Sequence, residues 1–282
     1  MSDRSLIIRN GRVVTPHAVV MADVLVRGEK IAGITTPDSV DWPDAQIIDA
    51  TDRFVLPGLV DPHTHIQLDT GIFQTADDWE IGTRVAAFGG VTTVVDFATQ
   101  FEGMTFPEAL ENRLSECQPA YIDYSHHMMV TDPPAAEADY RAALEELRDL
   151  GVPSIKLYTI YRPNYYMNDA QLLHTFEAMP DDMLALVHCE NDAIVEDATR
   201  RLVANGRTGW RFHGQSRPWQ AEIEAVERVI RLARLADAAV YIVHCTLPIT
   251  IHHIHTIRQQ EQRTGRILFE TCPQYFVLDE TY

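Results

Sequence analysis

The fold is decided first by the stretch LVDPHTH at residues 59–65, in which a short apolar run leads into two histidines. In an extended segment, residues i and i+2 face the same side, so His63 and His65 can point at one metal ion. The same pair is also compatible with two loop histidines that only form hydrogen bonds. At this segment both interpretations stay open.

Two more histidines end apolar runs further along the chain. His188 closes the run ALVH, and His244 closes the run YIVH. If these runs are parallel strands of a barrel, both histidines meet His63 and His65 at the carboxyl ends of the strands, where barrel enzymes carry their active sites. Imidazole is a favoured ligand of zinc-like ions. Four such histidines favour a metal site over four buried core histidines.

Alternation along the strands separates inward from outward side chains. Lys156 stands in the apolar strand SIKLY, where Ile155 and Leu157 face the other way. An unpaired buried ammonium is costly, so a free lysine does not belong there, and a lysine neutralised by a buried carboxylate is the alternative. Next to the histidines, Cys189 and Cys245 fall on the opposite strand face and are expected to pack against helices.

The pattern of predicted secondary structure changes near Pro57-Gly58. Residues 1–57 contain short strands with tight turns, including a hairpin predicted at Asn10-Gly11, and are expected to form the N-terminal part of a small β-sandwich domain. From residue 58 to residue 282, apolar strand-like runs alternate with segments of helical period, which indicates a parallel sheet with crossover helices. We therefore predict an α/β fold with a TIM-like (β/α)8 barrel over residues 58–282, incomplete at its C-terminus.

Seven strand candidates and several helix candidates fall in this second part. Apolar residues at helical spacing from Tyr140 to Leu150, closed by Gly151, predict one helix. The segment TADD predicts another helix start, capped by Thr75 or Asp77. A barrel needs eight strand units, and the eighth is not visible. The strand candidates are Leu59–His63, Thr92–Phe97, Tyr124–Val130, Ser154–Tyr158, Met183–His188, Ala239–His244 and Ile267–Cys272.

Composition excludes several classes of partner. Lys and Arg number 23 against 41 Asp and Glu, so the formal net charge of −18 repels polyanions, and neither nucleic acid nor an anionic membrane is expected to bind. No stretch of sequence reaches the roughly 18 apolar residues that a membrane span requires, and we expect a cytoplasmic protein. Four cysteines without CxxC spacing fit reduced thiols rather than disulfides.

Seven segments of the chain resemble the hydantoinases and dihydropyrimidinases of the amidohydrolase superfamily in order and spacing, over nearly the whole sequence. The segments are DPHTH (61–65), TADD (75–78), AFGGVTT (87–93), SIK (154–156), HCEN (188–191), SRP (216–218) and ETCPQY (270–275). The resemblance implies the metal-dependent amidohydrolase type of barrel in a homo-oligomeric enzyme. It also implies hydrolysis of small cyclic amides, hydantoins or dihydropyrimidines, by attack of a metal-bridging hydroxide.

The resemblance also assigns roles to individual residues. Lys156 would be carboxylated by CO2 and would bridge two divalent metal ions, for which zinc is expected. His63 and His65 would hold one ion, and His188 and His244 the other. Two ions that share a hydroxide lower its pKa and polarise the amide carbonyl, which the hydrolysis of an unreactive ring amide needs.

Tyr161 matches the family tyrosine that donates a hydrogen bond to the developing oxyanion. From spacing alone it is also compatible with an exposed loop aromatic, because Tyr158, Tyr165 and Tyr166 crowd the same region. The preference for Tyr161 as a catalytic residue, beside Lys156, therefore depends on the resemblance.

One part of the family pattern falls beyond Tyr282. The family's aspartate, a metal ligand and proton shuttle, belongs at the end of the eighth strand. These 282 residues alone are therefore expected to be poorly soluble and to have little activity.

Three alternative functions stay open. Allantoinase activity is one, and dihydroorotase activity is another, although the latter commonly needs an arginine just after the histidine pair, where residues 66–69 are IQLD. The third is a non-catalytic scaffold similar to the neuronal response-mediator proteins, which keep this fold without the metal ligands. The presence of four histidines and Lys156 speaks against a scaffold, and the missing aspartate speaks for one.

Overall fold

The computed structural model describes residues 5–70, 73–260 and 266–279. The chain divides into two compact units. One contains the described residues up to Leu59 together with Gly90–Thr92, and the other contains Val60–Gly89 and the described residues from Thr93 onward. None of the helices in these ranges is long and apolar enough to cross a membrane.

The first unit is built on a five-stranded mixed sheet. Its central strand β1 pairs antiparallel with β2 and parallel with β4 and β5, and β2 pairs antiparallel with β3. Val13, Ala22 and Val24 form its buried core cluster. The strands are β1 (Ser5–Val14), β2 (Val19–Arg27), β3 (Lys30–Thr35), β4 (Gln46–Asp49) and β5 (Phe54–Val55).

The prediction of a hairpin at Asn10-Gly11 is wrong, because this pair lies inside β1. The register with β2 shifts between Ile8 and Gly11, and Asn10 has a φ of 59°, which together mark a β-bulge. A Cβ on Gly11 would lie 2.4 Å from Cγ2 of Val55, so glycine is required there. Asn-Gly suits the positive φ of a bulge as well as that of a hairpin turn, and the pair alone does not distinguish them.

The second unit carries a seven-stranded sheet in the order β12-β11-β10-β9-β8-β7-β6, with parallel neighbours from β7 to β12. Its strands are β6 (Leu59–Asp61), β7 (Val91–Thr99), β8 (Asp123–Met129), β9 (Ser154–Tyr158), β10 (Leu184–His188), β11 (Val240–Ile242) and β12 (Ile267–Phe269). The helices are α1 (Trp79–Phe88), α2 (Phe106–Glu116), α3 (Glu137–Asp149), α4 (Asp169–Ala178), α5 (Asp192–Ala204), α6 (His213–Ser216), α7 (Trp219–Leu235) and α8 (Pro248–Gln260). All seven predicted strands and their alternation with helices are confirmed.

The ends of several elements differ from the predictions by one to three residues, as for β6, which stops at Asp61, and β12, which stops at Phe269. Strand β11 stops at Ile242 instead of reaching His244, whose φ of 39° lies in the left-handed region and leaves the strand. The cap of α1 is Asp78, whose side chain accepts from the Ile81 N–H, rather than Thr75 or Asp77. For α3 the prediction is confirmed, with Gly151 at a φ of 90° just after the helix.

Alternation along the strands produces two separate cores. Ile155, Leu157, Cys189 and Cys245 belong to the large cluster between sheet and helices, as predicted for both cysteines. The opposite face of the sheet carries a smaller cluster, in which Lys156 is the buried cation. The members of that cluster are Phe97, Met129, Tyr158, Leu186 and Val243.

The sheet curves so strongly that its two edges approach each other. Glu270 follows β12 at one edge and His63 follows β6 at the other, yet Oε1 of Glu270 lies 2.5 Å from Nδ1 of His63. Curvature of this kind brings the carboxyl ends of all seven strands around one point.

Candidate metal centre

The structure brings the five predicted metal-site residues together. The ring centroids of His63 and His65 are 5.2 Å apart, those of His63 and His244 5.5 Å, and those of His188 and His244 4.6 Å. Nζ of Lys156 lies 3.5 Å from Nε2 of His63. Residues on β9 and β10, and residues just after β6 and β11, thus form one cluster at the carboxyl ends of the strands.

Lys156 is the most unusual member of this cluster because it is 1% exposed. Its Nζ lies 5.3 Å from the ring centroid of Phe97 and 5.2 Å from that of Tyr158. Burial lowers the pKa of Lys156 to about 7, against an opposing influence of the Glu270 carboxylate. Near neutral pH a large fraction of this amine is therefore uncharged and nucleophilic.

Three of the imidazoles, those of His65, His188 and His244, are held neutral by their surroundings. Burial lowers the pKa of His65 to about 3 and that of His244 to about 2, and the other basic groups of the cluster add to both shifts. Burial also lowers the pKa of His188, although Glu190 opposes this. Only a neutral imidazole offers a lone pair to a metal ion, so the electrostatics favour ligation.

Two carboxylates that sequence reasoning did not assign contact the histidines. Glu270 contacts Nδ1 of His63, and Glu190 Oε2 lies 2.7 Å from Nε2 of His188 and also pairs with Arg217. Burial favours the protonated form of both carboxyls, but the hydrogen bonds from their histidines hold each pKa below its usual range. Glu270 directly follows the apolar run ILF, just as His188 and His244 follow apolar runs. This position in the sequence could have identified Glu270 as a site residue.

Tyr161 lies beside the cluster on the loop after β9. Its ring centroid is 5.2 Å from that of His188, and the guanidinium carbon of Arg217 is 5.6 Å from the tyrosine ring. Burial raises the pKa of Tyr161, so its phenol stays protonated and able to donate. Both residues line a cavity of about 630 Å³ that also reaches His188 and His244.

The segment that carries the first two histidines is held by a buried ion pair. Asp96 Oδ2 accepts from Thr64 Oγ1 at 2.9 Å and from the Ile66 N–H at 2.8 Å, on either side of His65. Arg113 pairs with Asp96 Oδ1 at 2.6 Å and also donates to the Ile66 carbonyl. Asp96 and Arg113 both lie outside this segment, so side chains from β7 and α2 hold the backbone on either side of His65.

The donor set fits metal ions under one condition. Among the described residues, no three His, Cys, Asp or Glu side chains are arranged so that they could hold a metal ion. Each predicted ion has two imidazoles, and the third donor of each would be a carboxylated Lys156, which an unmodified amine cannot replace. His65 Nδ1 is buried without a hydrogen-bond partner, as expected of a polar atom whose partner is not a protein group. The residues therefore fit two ions once Lys156 is carboxylated.

Comparison with known proteins agrees with this geometry. The chain is 35% identical to a D-hydantoinase of Streptomyces coelicolor over 99% of its length, and 34% identical to one of Geobacillus stearothermophilus over 98%. A crystal structure of D-hydantoinase superposes with a TM-score of 0.91 at 33% identity, and that of dihydropyrimidinase from Brevibacillus agri with 0.90 at 36%. The chain is therefore similar over almost its whole length to D-hydantoinases and to a dihydropyrimidinase.

The chain spans 59% and 58% of the length of the two D-hydantoinases. The two structural superpositions include 99% and 98% of this chain, but each covers only 59% of the crystallised chain. No protein-family model matches it. The family resemblance and the barrel fold are thereby confirmed. The roles of the individual ligands and of Tyr161 stay predictions.

Proposed function

We propose that this protein is a metal-dependent cyclic amidase that opens hydantoin or dihydropyrimidine rings. The observation that carries the proposal is Lys156, a fully buried lysine whose Nζ faces a cluster of four histidines and has no carboxylate partner among the described residues. The D-hydantoinases and the dihydropyrimidinase to which the chain is similar support this choice of substrate class.

Carboxylation of Lys156 explains why a lysine stands at this position. The neutral amine attacks CO2, an N–C bond forms, one proton is released, and the product is an anionic carbamate. A pKa of about 7 supplies the neutral amine at physiological pH, which an ordinary lysine does not. The modification replaces a disfavoured cation with an anion among imidazoles.

The carboxylated lysine would then lie between two divalent ions. His63 and His65 would hold one ion and His188 and His244 the other, and zinc suits such nitrogen and oxygen donors. When bound, two such ions activate water and polarise the substrate carbonyl.

Tyr161 would act on the substrate directly. Its protonated phenol lines the cavity beside His188, where it can donate a hydrogen bond to the amide oxygen as negative charge develops there. Arg217, close to the tyrosine ring, helps to hold it in place.

The proposal is tested by metal analysis and turnover of hydantoin and dihydrouracil after zinc-supplemented expression. We expect bound zinc, and Tyr161→Phe should keep the metal while lowering the turnover of a full-length counterpart by about a hundredfold. A protein with neither metal nor turnover would support the scaffold alternative and overturn the proposal.

The remaining expectations are also proposals. We infer from the family resemblance a homo-oligomer that acts in the cytoplasm, with a small β-domain over residues 1–57 and the barrel from residue 58. Analytical ultracentrifugation measures the oligomeric state directly, and a monomer at all concentrations would contradict this inference.

A further inference from the structure

The two glutamates of the site contact different nitrogens of their histidines. Glu270 Oε1 lies 2.5 Å from Nδ1 of His63, whereas Glu190 Oε2 lies 2.7 Å from Nε2 of His188. An ionised carboxylate only accepts hydrogen bonds, so the imidazole nitrogen that faces it must carry the hydrogen. In a neutral imidazole the other nitrogen is then bare.

For His63 the bare nitrogen is the one that faces the site. Nε2 of His63 lies 3.5 Å from Nζ of Lys156, while Nδ1 faces Glu270 on the far side of the ring. The opposite tautomer would place a hydrogen on Nε2 and remove the lone pair from the centre of the cluster.

We propose that Glu270 is a positioning residue, which holds His63 in the Nδ1–H tautomer so that its Nε2 lone pair points into the site. The part of this inference that concerns metal binding rests on the proposed function. The tautomer itself is a property of the protein without any ion.

Glu270 is itself well fixed. Its Oε2 accepts from the Tyr241 hydroxyl at 2.8 Å, and Oε1 also accepts from the His244 N–H at 3.2 Å. These partners lie on or just after β11, whereas His63 follows β6. With both oxygens engaged, the carboxylate is suited to orient His63 rather than to bind an ion.

The arrangement differs for the neighbouring histidine. His65 Nδ1 has no hydrogen-bond partner among the described residues, so no carboxylate selects its tautomer. Only one histidine of the first pair is therefore oriented in this way, and Glu270 should act on His63 alone.

The tautomer is measurable by two-bond ¹H–¹⁵N correlation NMR on metal-free protein labelled at histidine, with His63→Gln used to assign the signal. We expect His63 to be protonated at Nδ1 in the wild type and to lose this preference in Glu270→Ala. Glu190→Ala is the matched control, because it should alter His188 and leave His63 unchanged. Wild-type His63 protonated at Nε2, or an Nδ1–H tautomer that persists in Glu270→Ala, would overturn the proposal.

Zinc titration tests the consequence for ligation. Loss of a carboxylate that orients a histidine ligand typically weakens metal binding about 10–100-fold, and we expect this of Glu270→Ala. Tyr241→Phe keeps the contact between Glu270 and His63, so it should keep the tautomer and weaken binding far less. Equal zinc affinity in wild type and Glu270→Ala would overturn the positioning role.

The two measurements separate this inference from the proposed function. A wild type that binds no zinc would contradict the proposed function, while the NMR spectrum would still decide the tautomer. If Glu270→Ala does not fold, the wild-type spectrum alone can refute the inference.

Discussion

Two buried cations of this protein, Arg113 and Lys156, differ in their ion-pair partners. Arg113 on α2 is 7% exposed and pairs with Asp96 at 2.6 Å, and it also contacts Glu116 and the Ile66 carbonyl. Lys156 on β9 is 1% exposed, and among the described residues the polar contact of its Nζ is Nε2 of His63 at 3.5 Å.

The pKa values follow from this difference. Burial works to lower the pKa of Arg113, but Asp96 and Glu116 overcome it and the pKa is raised. For Lys156 burial prevails, and its pKa falls to about 7. A buried cation with its own carboxylate fixes structure, whereas one without such a partner is available for chemistry, at a cost in stability.

The largest expected effect is on metal content. Lys156→Met should abolish binding of both ions, because the bridging donor serves the two positions, and Lys156→Arg should do no better, since arginine cannot form the carbamate. Elemental analysis after zinc-supplemented expression measures this. Arg113→Lys is the control and should retain metal. Full metal content in Lys156→Met would show that no bridging carbamate is needed.

The next effect is on stability. Arg113→Met should lower the free energy of unfolding by about 3–5 kcal/mol, because it leaves the Asp96 carboxylate buried without its counter-ion. Urea denaturation measures the change. Adding Asp96→Asn to the variant removes the stranded charge and should recover part of the loss. A loss below about 1 kcal/mol in the single variant would contradict the structural role assigned to the pair.

The third prediction concerns how the free energy of unfolding depends on pH through Lys156. Lys156 has a pKa of about 7 in the folded protein, against roughly 10.4 when unfolded. Between these values the unfolded chain binds the extra proton, so stability rises with pH by about 1.4 kcal/mol per unit, and below the folded pKa the penalty is constant.

The measurement is urea denaturation of metal-free protein at pH 7, 8 and 9 in CO2-depleted buffer. Lys156→Met lacks this group, so the wild type should gain stability relative to the variant as the pH rises. Parallel curves for the two proteins would show that Lys156 is not depressed in pKa.

The smallest expected effect on stability is that of Glu116, the partly exposed ion-pair partner of Arg113. Glu116→Ala should change the free energy of unfolding by less than about 1 kcal/mol, because this carboxylate is 43% exposed and water screens its ion pair. Thermal denaturation at low and high salt measures it. A larger loss would mean that Arg113 depends on both carboxylates rather than on Asp96.

Much of the site was predictable because it depends on local patterns. His188 ends an apolar run and Lys156 interrupts one, so period-2 alternation indicates the side of the sheet that each faces, and His63, His65 and His244 come just after such runs. The partners were not predictable in this way. Glu270 meets His63 across 207 positions, and Arg113 on α2 meets Asp96 on β7 across 17. Such contacts depend on the curvature of the whole sheet.

Local signals also failed where one residue pair suits two conformations. Asn10-Gly11 favours positive φ, which a bulge uses as well as a hairpin turn. Asp78 and Asp77 are equally good helix caps by composition, and the backbone path before α1 decides between them.

The contact between His63 and Glu270 has a consequence for synthesis on the ribosome. The two residues are 207 positions apart, and at about 5–20 residues per second His63 is made roughly 10–40 s before Glu270. During that interval nothing selects the His63 tautomer, so the nascent chain carries its first histidine pair before it can orient it. Under the proposed function, competence to bind metal would thus be acquired late in translation, when β12 reaches β6.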